Sequence, residues 1–338
     1  MTLSAPEPLE IAISLVKELG KFRQIPQLFF VDEIRFESLF KLRETVLDFK
    51  EHHSDISEID FIINSPGGGP DEAYKMVRTL RNNFETVNVI VPFWAKSAAT
   101  LLALGGSCII MDEFAEFGPI DVQLVKERDD SPFFERESAL NDEYSLKLIE
   151  DHSQLLFEKM FTNFYQNQRI PVNKNDLSSQ VFEYLAKFYD PLLSQINPYK
   201  LGDKKRKLEI GEQYAAKILE LYQKDVALKE RVYLTDFLVN GCPDHGYVID
   251  YYDISTYMPS VVKLSSKFGL DFKKALSNLS GFLMSLEKDI RYTGFVDFQV
   301  NTAAQDSPPH ENGSEGQLNH GNVQVLSNIS SNHHDNEH

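Results

Sequence analysis

Cysteine is scarce in this sequence, with only Cys108 and Cys242 among 338 residues. Two cysteines in separate apolar neighbourhoods do not build the disulfide framework that stabilises small secreted domains. A reducing compartment, the cytoplasm, is therefore the expected location. The first ten residues also lack the basic and apolar regions of a secretory signal peptide, which agrees with this expectation.

Long uninterrupted hydrophobic segments are missing as well. The most apolar window covers residues 87–111, but Lys96 and Ser97 interrupt it and Gly105 follows within it. A membrane-spanning helix needs about 20 consecutive apolar residues. The window therefore fits a strand, a helix and a second strand better, and we expect no integral membrane segment.

Positive charge is in deficit, because 34 lysine and arginine residues stand against 51 aspartate and glutamate residues, a formal net charge of -17. Nucleic acids and anionic membranes select basic surfaces, so neither is expected as a main partner. The hydrophobic fraction of 42% is that of an ordinary globular protein with a substantial core.

Histidine is rare outside the last part of the chain. Five of the nine histidines lie in residues 301–338, a polar segment with almost no large apolar side chain. Such a segment cannot bury enough surface to offset its ordering entropy, and it is predicted to be disordered. His52, His53, His152 and His245 are the imidazoles that remain. No metal or organic cofactor is expected from this pattern.

The first 125 residues alternate short apolar runs with amphipathic segments. Strands are predicted at residues 27–31, 59–63, 87–93 and 108–111. Helices are predicted at residues 36–49, after Asp71 as N-cap, and at residues 97–104. This alternation implies a largely parallel, buried sheet. Further along, the pattern predicts a mainly helical region at residues 137–222, a short strand at 246–250 and a final helix at 272–286.

Three consecutive glycines follow the second predicted strand, in the sequence NSPGGGP over residues 64–70. Glycine permits positive φ and leaves backbone N–H groups accessible to a bound atom. Ahead of a helix, such groups form an anion site, and an ordinary sharp turn is the structural alternative. The phosphate-binding patterns GxxxxGK[ST] and GxGxxG do not fit this segment.

A serine, Ser97, opens a short apolar helix in the sequence WAKSAAT, residues 94–100. Its hydroxyl would face the positive end of the helix dipole, which favours a developing alkoxide or oxyanion. Ala98 and Ala99 keep the neighbourhood small enough for a carbonyl group to approach. A serine N-cap is the structural alternative, since serine is a favoured cap.

The two turns, together with the segment FGPIDVQ at residues 117–123, resemble the Clp protease proteolytic subunit and signal peptide peptidase A. The sequence is most similar to the serine dehydrogenase proteinase family, over residues 59–123 and more weakly to residue 250. The resemblance implies an α/β, Clp protease/crotonase-like ββα spiral core at residues 25–130, after an N-terminal segment of residues 1–24. A helical region at 131–300 would complete the domain, followed by the disordered tail at 301–338.

The same resemblance implies a serine endopeptidase that acts on polypeptides and assembles as a homo-oligomer. Ser97 would attack the peptide carbonyl and form an acyl-enzyme. Backbone N–H groups of Gly67, Gly68 and Ala98 would hold the tetrahedral oxyanion. Loss of one such donor typically costs about a hundredfold in rate.

The identity of the general base stays open. Where the Clp subunit carries its histidine, this chain has Asp121 and its neighbours, and Asp121 could orient a base or merely cap a turn. The Ser/Lys dyad of signal peptide peptidase A points to Lys147, and a lysine acts as base only where burial lowers its pKa. His245, in the turn before residues 246–250, is the other candidate. Lys96 adjoins the serine, but neighbouring side chains at such a turn usually diverge.

Two other functions compete with the peptidase hypothesis. The missing histidine motivates a catalytically silent, oligomeric scaffold or binding module of the same fold. Crotonase-type acyl-CoA chemistry also uses a glycine-turn oxyanion hole and needs no serine nucleophile. The Lys-Ser-Ala-Ala sequence fits a peptidase better than it fits acyl-CoA chemistry.

Overall fold

The computed structural model describes residues 7–120, 123–125, 136–166, 173–244, 246–286 and 290–296, all within one compact unit, Met1–Phe298. The helices are α1 (Pro8–Arg23), α2 (Phe36–His52), α3 (Pro70–Asn83), α4 (Ala98–Leu104), α5 (Ala139–Gln166), α6 (Lys174–Leu193), α7 (Pro198–Tyr222), α8 (Leu228–Val239), α9 (Tyr251–Tyr257) and α10 (Leu270–Met284). The strands are β1 (Gln27–Val31), β2 (Glu58–Asn64), β3 (Thr86–Val91), β4 (Trp94–Ala95), β5 (Cys108–Met111), β6 (Glu116–Phe117), β7 (Gln123–Val125), β8 (Arg136–Ser138), β9 (Val262–Leu264) and β10 (Tyr292–Val296).

A six-stranded sheet in the order β10-β1-β2-β3-β5-β9 forms the centre of the protein. Strands β1, β2, β3, β5 and β9 are parallel to one another, and β10 pairs antiparallel with β1 at one edge. Two short pairs lie outside this sheet, β4 with β6 and β7 with β8. The predicted α/β class with a largely parallel sheet is confirmed.

Helices cover both faces of the sheet, and alternate residues of each strand explain why. On β1, Leu28 and Phe30 point to the face covered by α2, α3 and α4, whereas Phe29 and Val31 point to the face covered by α1 and α10. Successive side chains of a strand alternate between faces, so a strand buried on both sides needs a continuous apolar run. Each fully buried Phe or Leu contributes roughly 1.5–3 kcal/mol.

The helical region has a small core of its own. Helices α5 and α6 pack together around Leu177, Val181, Leu185 and Tyr189. The prediction of a mainly helical region at residues 137–222 is therefore correct for its described part. Within the residues that the structure describes, no helix combines the length and the apolar character needed to cross a membrane.

Two local predictions are wrong. Asp71 is not the N-cap of α3, because the helix begins at Pro70 after Gly69, and proline suits the first helical position, where its missing N–H costs nothing. Residues 246–250 form no strand, since Ile249 makes only an isolated antiparallel bridge to Phe117. The predicted final helix is present as α10, and β10, a strand that the sequence did not predict, follows it and closes the edge of the sheet.

The N-terminal segment predicted at residues 1–24 contains α1, which packs against α10. The predicted domain boundaries near residues 24, 130 and 300 stay predictions. The tail at residues 301–338 lies outside the described residues.

Candidate active site

The glycine turn after β2 has a backbone that only glycine adopts readily. Gly67 has φ 101° and Gly68 has φ 142°, values at which a Cβ atom is strained. The turn is attached to Ile34, the third residue after β1, since Ile34 N–H donates to Gly67 C=O at 2.7 Å and Gly69 N–H donates to Ile34 C=O at 2.9 Å. A Cβ atom on Gly68 would collide with the Ile34 carbonyl oxygen.

The serine turn is strained as well. Ala99 N–H donates to Lys96 C=O at 2.8 Å and closes a β-turn, in which Ser97 has φ 51° and ψ -120°. These angles belong to the first central position of a type II′ turn, where glycine is preferred. The Ser97 side chain makes no capping hydrogen bond to α4, so an N-cap does not explain the serine. Strained backbone of this kind concentrates at functional sites.

The two turns lie directly against each other. Lys96 N–H donates to Ser65 C=O at 3.0 Å, which aligns the two segments. A Cβ atom on Gly67 would lie 2.5 Å from the Lys96 carbonyl oxygen, 2.8 Å from Ser97 Cβ and 3.1 Å from Ala98 N. The absence of a side chain at residue 67 is what allows this approach.

Two backbone N–H groups at this contact are available to a bound oxygen. Gly67 N–H already donates to the Ser65 hydroxyl at 3.2 Å. Gly68 N–H and Ala98 N–H donate to no acceptor among the described residues. Ala98 is the first residue of α4, and the first N–H groups of a helix have no acceptor within it. The geometry thus favours Gly68 and Ala98 over Gly67 as oxyanion donors.

Hydrogen bonds of Thr100 connect the serine turn to the segment at residues 117–120. Its hydroxyl oxygen lies 2.8 Å from the carbonyl oxygens of both Ala95 and Gly118, and it accepts from Gly118 N–H at 3.3 Å. Phe117 N–H in turn donates to Ile249 C=O at 2.8 Å. Ile249 is therefore held beside β6, a placement that sequence reasoning did not predict.

Comparison with known proteins finds a family model that is similar to the part of the chain that contains both turns. Residues 34–143 match the family model of the ClpP-like SDH-type serine proteinases. The resemblance predicted from the sequence is thereby confirmed. The matched part begins at Ile34, which holds the glycine turn, and it contains both Gly67 and Ser97.

Individual similar proteins each match less than half of the chain. Two uncharacterized proteins of Methanocaldococcus jannaschii are 46% and 38% identical over 66 residues, which is 20% of this chain and 23% of each relative. A ClpP1 mutant from Listeria monocytogenes (19% identity, 31% of this chain and 59% of that chain) has a TM-score of 0.26. A membrane-bound stomatin-specific protease mutant in complex with a substrate peptide (14% identity, 45% and 62%) has a TM-score of 0.27.

The candidate bases predicted from the sequence have different positions. Lys147 lies on an exposed part of α5. His245 and Asp121 lie outside the described residues. Lys96 forms an ion pair with Glu116 at 2.8 Å, which agrees with the expectation that it diverges from Ser97. Lys147 and His245 both stay predictions.

The other described histidines have partners of their own. His52 Nδ1 lies 2.9 Å from Asp48 C=O at the end of α2, and His152 Nδ1 lies 2.8 Å from the Tyr189 hydroxyl between α5 and α6. Burial raises the pKa of both cysteine thiols, that of Cys242 to about 11, so neither is a good thiolate nucleophile at neutral pH. The described residues contain no group of three or more His, Cys, Asp or Glu side chains that could hold a metal ion.

Gly67→Ala is expected to destabilise the fold and to separate the two turns. Positive φ costs an alanine about 1–2 kcal/mol, and contact with the Lys96 carbonyl oxygen and Ser97 Cβ adds overpacking of about 1–3 kcal/mol. Urea unfolding measures the loss. Gly281→Ala is the matched control, because a Cβ atom there meets nothing within 4 Å, and helix propensity predicts a gain of about 1 kcal/mol in α10. Equal stability of Gly67→Ala and the parent protein would contradict the contact described above.

Proposed function

We propose that this protein is a serine endopeptidase in which Ser97 is the nucleophile. The observation that carries the proposal is the direct contact between the glycine turn and a strained, buried Ser97. A serine at a sharp strand-to-helix turn beside unpaired backbone N–H groups is a recurrent arrangement for acyl transfer. The match to a family of serine proteinases supports the same chemistry.

The reaction follows from this arrangement. Ser97 Oγ adds to the carbonyl carbon of the scissile peptide bond while a general base accepts the hydroxyl proton. The negative charge that develops on the carbonyl oxygen is held by the N–H groups of Gly68 and Ala98. Collapse of the tetrahedral intermediate breaks the C–N bond, and the proton passes to the leaving amine. Water then attacks the ester on Ser97, and hydrolysis releases the acid and restores the serine.

Lys147 and His245 remain the proposed bases, and each implies a different requirement. A lysine accepts a proton at neutral pH only when its ammonium form is desolvated. Lys147 is exposed in the single chain, so a Ser/Lys dyad requires another surface to cover it. The homo-oligomer that we propose could supply that surface. A Ser/His mechanism would instead use the segment that leads into Ile249, which is hydrogen-bonded to Phe117.

A catalytically silent scaffold or binding module is the second candidate, and the exposure of Lys147 favours it. Polypeptides are the expected partners under either reading. A cytoplasmic location is proposed from the low cysteine content.

Fluorophosphonate labelling tests the proposal. The folded chain should be labelled on Ser97, identified by peptide mapping, and the heat-unfolded chain should not react, because the turn activates the serine. In a structure of the labelled protein, the base is the amine or imidazole within about 3 Å of the serine oxygen. A well-folded chain that does not react would favour the scaffold instead.

A further inference from the structure

A groove of about 430 Å³ runs between α2 and α3 on the outer surface of the protein. Its apolar part consists of Phe36, Leu39 and Phe40, of which Phe36 is 66% exposed and Phe40 is 48% exposed. Phe36 and Phe40 lie four residues apart and therefore share one face of α2. Peptide segments commonly dock in grooves that are lined by apolar and aromatic side chains.

The rim of the groove is cationic. Arg43 extends the same face of α2, and Lys75 and Arg78 line the opposite side on α3. Arg43 and Lys75 form no ion pair with any described residue, and Arg78 contacts the Tyr74 hydroxyl at 3.5 Å. No carboxylate is found among the described residues that line the groove.

This concentration of positive charge stands out on a chain whose formal net charge is -17. The three cations around the groove repel each other, and the aromatic side chains between them are exposed to water. A ligand that brings both carboxylates and apolar side chains removes both costs. A ligand with only one of these two properties does not match the groove. Nucleic acid brings negative charge but no aliphatic side chains, and a purely apolar segment leaves the cations without counter-charges.

The groove also lies close to the glycine turn, which sets the start of both helices. Helix α2 begins two residues after Ile34, and α3 begins at Pro70, directly after Gly69. Ile34 and Gly69 are hydrogen-bonded at 2.9 Å. A segment bound between α2 and α3 therefore lies beside the strand-to-helix turns without belonging to the serine turn.

We propose that the α2/α3 groove is a docking site for a peptide segment of another protein, with large apolar side chains flanked by carboxylates. The apolar side chains bind between Phe36 and Phe40, and the carboxylates pair with Arg43, Lys75 and Arg78. The site does not depend on the proposed peptidase activity.

The test uses a fluorescein-labelled peptide that contains Asp-Asp-Phe-Phe-Asp-Asp, titrated with the full chain and followed by fluorescence anisotropy. Saturable binding is expected, and it should weaken as salt is raised. Peptides in which Lys replaces Asp, or Ser replaces Phe, should bind at least about tenfold more weakly.

Charge-reversal variants locate the site. The Arg43→Glu/Lys75→Glu/Arg78→Glu variant is expected to lose about tenfold or more in affinity, and Phe40→Ser should lose a similar amount. The matched control is Lys224→Glu/Lys267→Glu/Lys274→Glu, which changes the net charge equally at exposed positions elsewhere and should bind like the parent protein. All these side chains are exposed, so thermal unfolding should change little.

Three results would overturn the proposal. The first is no saturable binding by the parent protein, and the second is equal loss in both triple variants, which would indicate a nonspecific charge effect. The third is a change of oligomeric state in the groove variant, detected by sedimentation, without any peptide binding by the parent, because the groove would then be a contact between copies of this chain. Fluorophosphonate labelling of Ser97 should be unaffected by the bound peptide, which separates this site from the active site.

Discussion

Ser97→Ala is expected to abolish peptide hydrolysis and fluorophosphonate labelling while the fold stays intact. The variant removes the oxygen that would form the acyl-enzyme, and loss of a catalytic nucleophile typically costs at least about a thousandfold in rate. Hydrolysis of a fluorogenic peptide library measures the effect, and far-UV circular dichroism checks the fold. Ser54→Ala, an exposed serine between α2 and β2, is the control and should keep full activity.

Ser97→Gly distinguishes a functional serine from a structural one. With φ 51° and ψ -120° at residue 97, glycine relieves strain that both serine and alanine carry, so this variant should be about 1 kcal/mol more stable than Ser97→Ala. It should nevertheless be equally inactive. If Ser97 were a helix cap, Ser97→Ala would instead lose about 1 kcal/mol relative to the parent, and Ser97→Gly would gain nothing over the parent, since glycine replaces a serine cap at a loss of a few tenths of a kcal/mol. Retained hydrolysis in either variant would refute the assignment of the nucleophile.

Arg23→Met is expected to cause the largest loss of stability, about 3–5 kcal/mol, because it leaves a buried carboxylate without its cation. Arg23 Nε and Nη2 each donate to Asp60 at 2.9 Å, and the Asp60 side chain has no exposed surface. The Asn88 amide donates to the same carboxylate at 3.0 Å. Urea unfolding at neutral pH measures the free energy of unfolding. Methionine preserves much of the volume, so the loss reports mainly on charge.

The destabilisation by Arg23→Met should depend on pH. Burial raises the pKa of Asp60 in the folded protein, although Arg23 and Asn88 oppose this rise. A carboxyl group with a raised pKa stabilises the fold when protonated, and that contribution is lost as the pH rises through the folded pKa. Removal of Arg23 raises the pKa further. The loss caused by Arg23→Met should therefore be largest at neutral pH and shrink as the pH falls.

A second substitution separates charge from packing at this site. Arg23→Met/Asp60→Asn removes both charges, and it should recover much of the stability lost in Arg23→Met, because no unpaired buried charge remains. The double variant should also lose the pH dependence. If the double variant is as unstable as Arg23→Met, or if the loss in Arg23→Met does not change with pH, then packing against Phe268, over which the guanidinium lies, determines the effect.

The centre of the sheet was predictable because its strands are buried on both faces. Such strands are continuous apolar runs, and the predicted ranges for β1 and β5 agree with the structure to the residue. The edge strands of the sheet could not be predicted from continuous apolar runs. Strand β9 has only three residues, and three of the five residues of β10, Gly294 among them, are half-buried, so the apolar pattern of β10 is weak. Pairing with β1, which is remote in sequence, makes β10 a strand.

For the active site, the amino-acid sequence by itself determined the two turns, the residue types in them and the family resemblance, because glycine and small residues next to buried strands have a local physical meaning. Only the tertiary structure decided that Gly67 contacts Ser97 and Ala98, and that the Ser65 hydroxyl accepts a hydrogen bond from Gly67 N–H. The reason is that strand order is set by packing between distant segments. The backbone strain at Ser97 is likewise visible only in the folded structure, because the residue type serine does not indicate a positive φ.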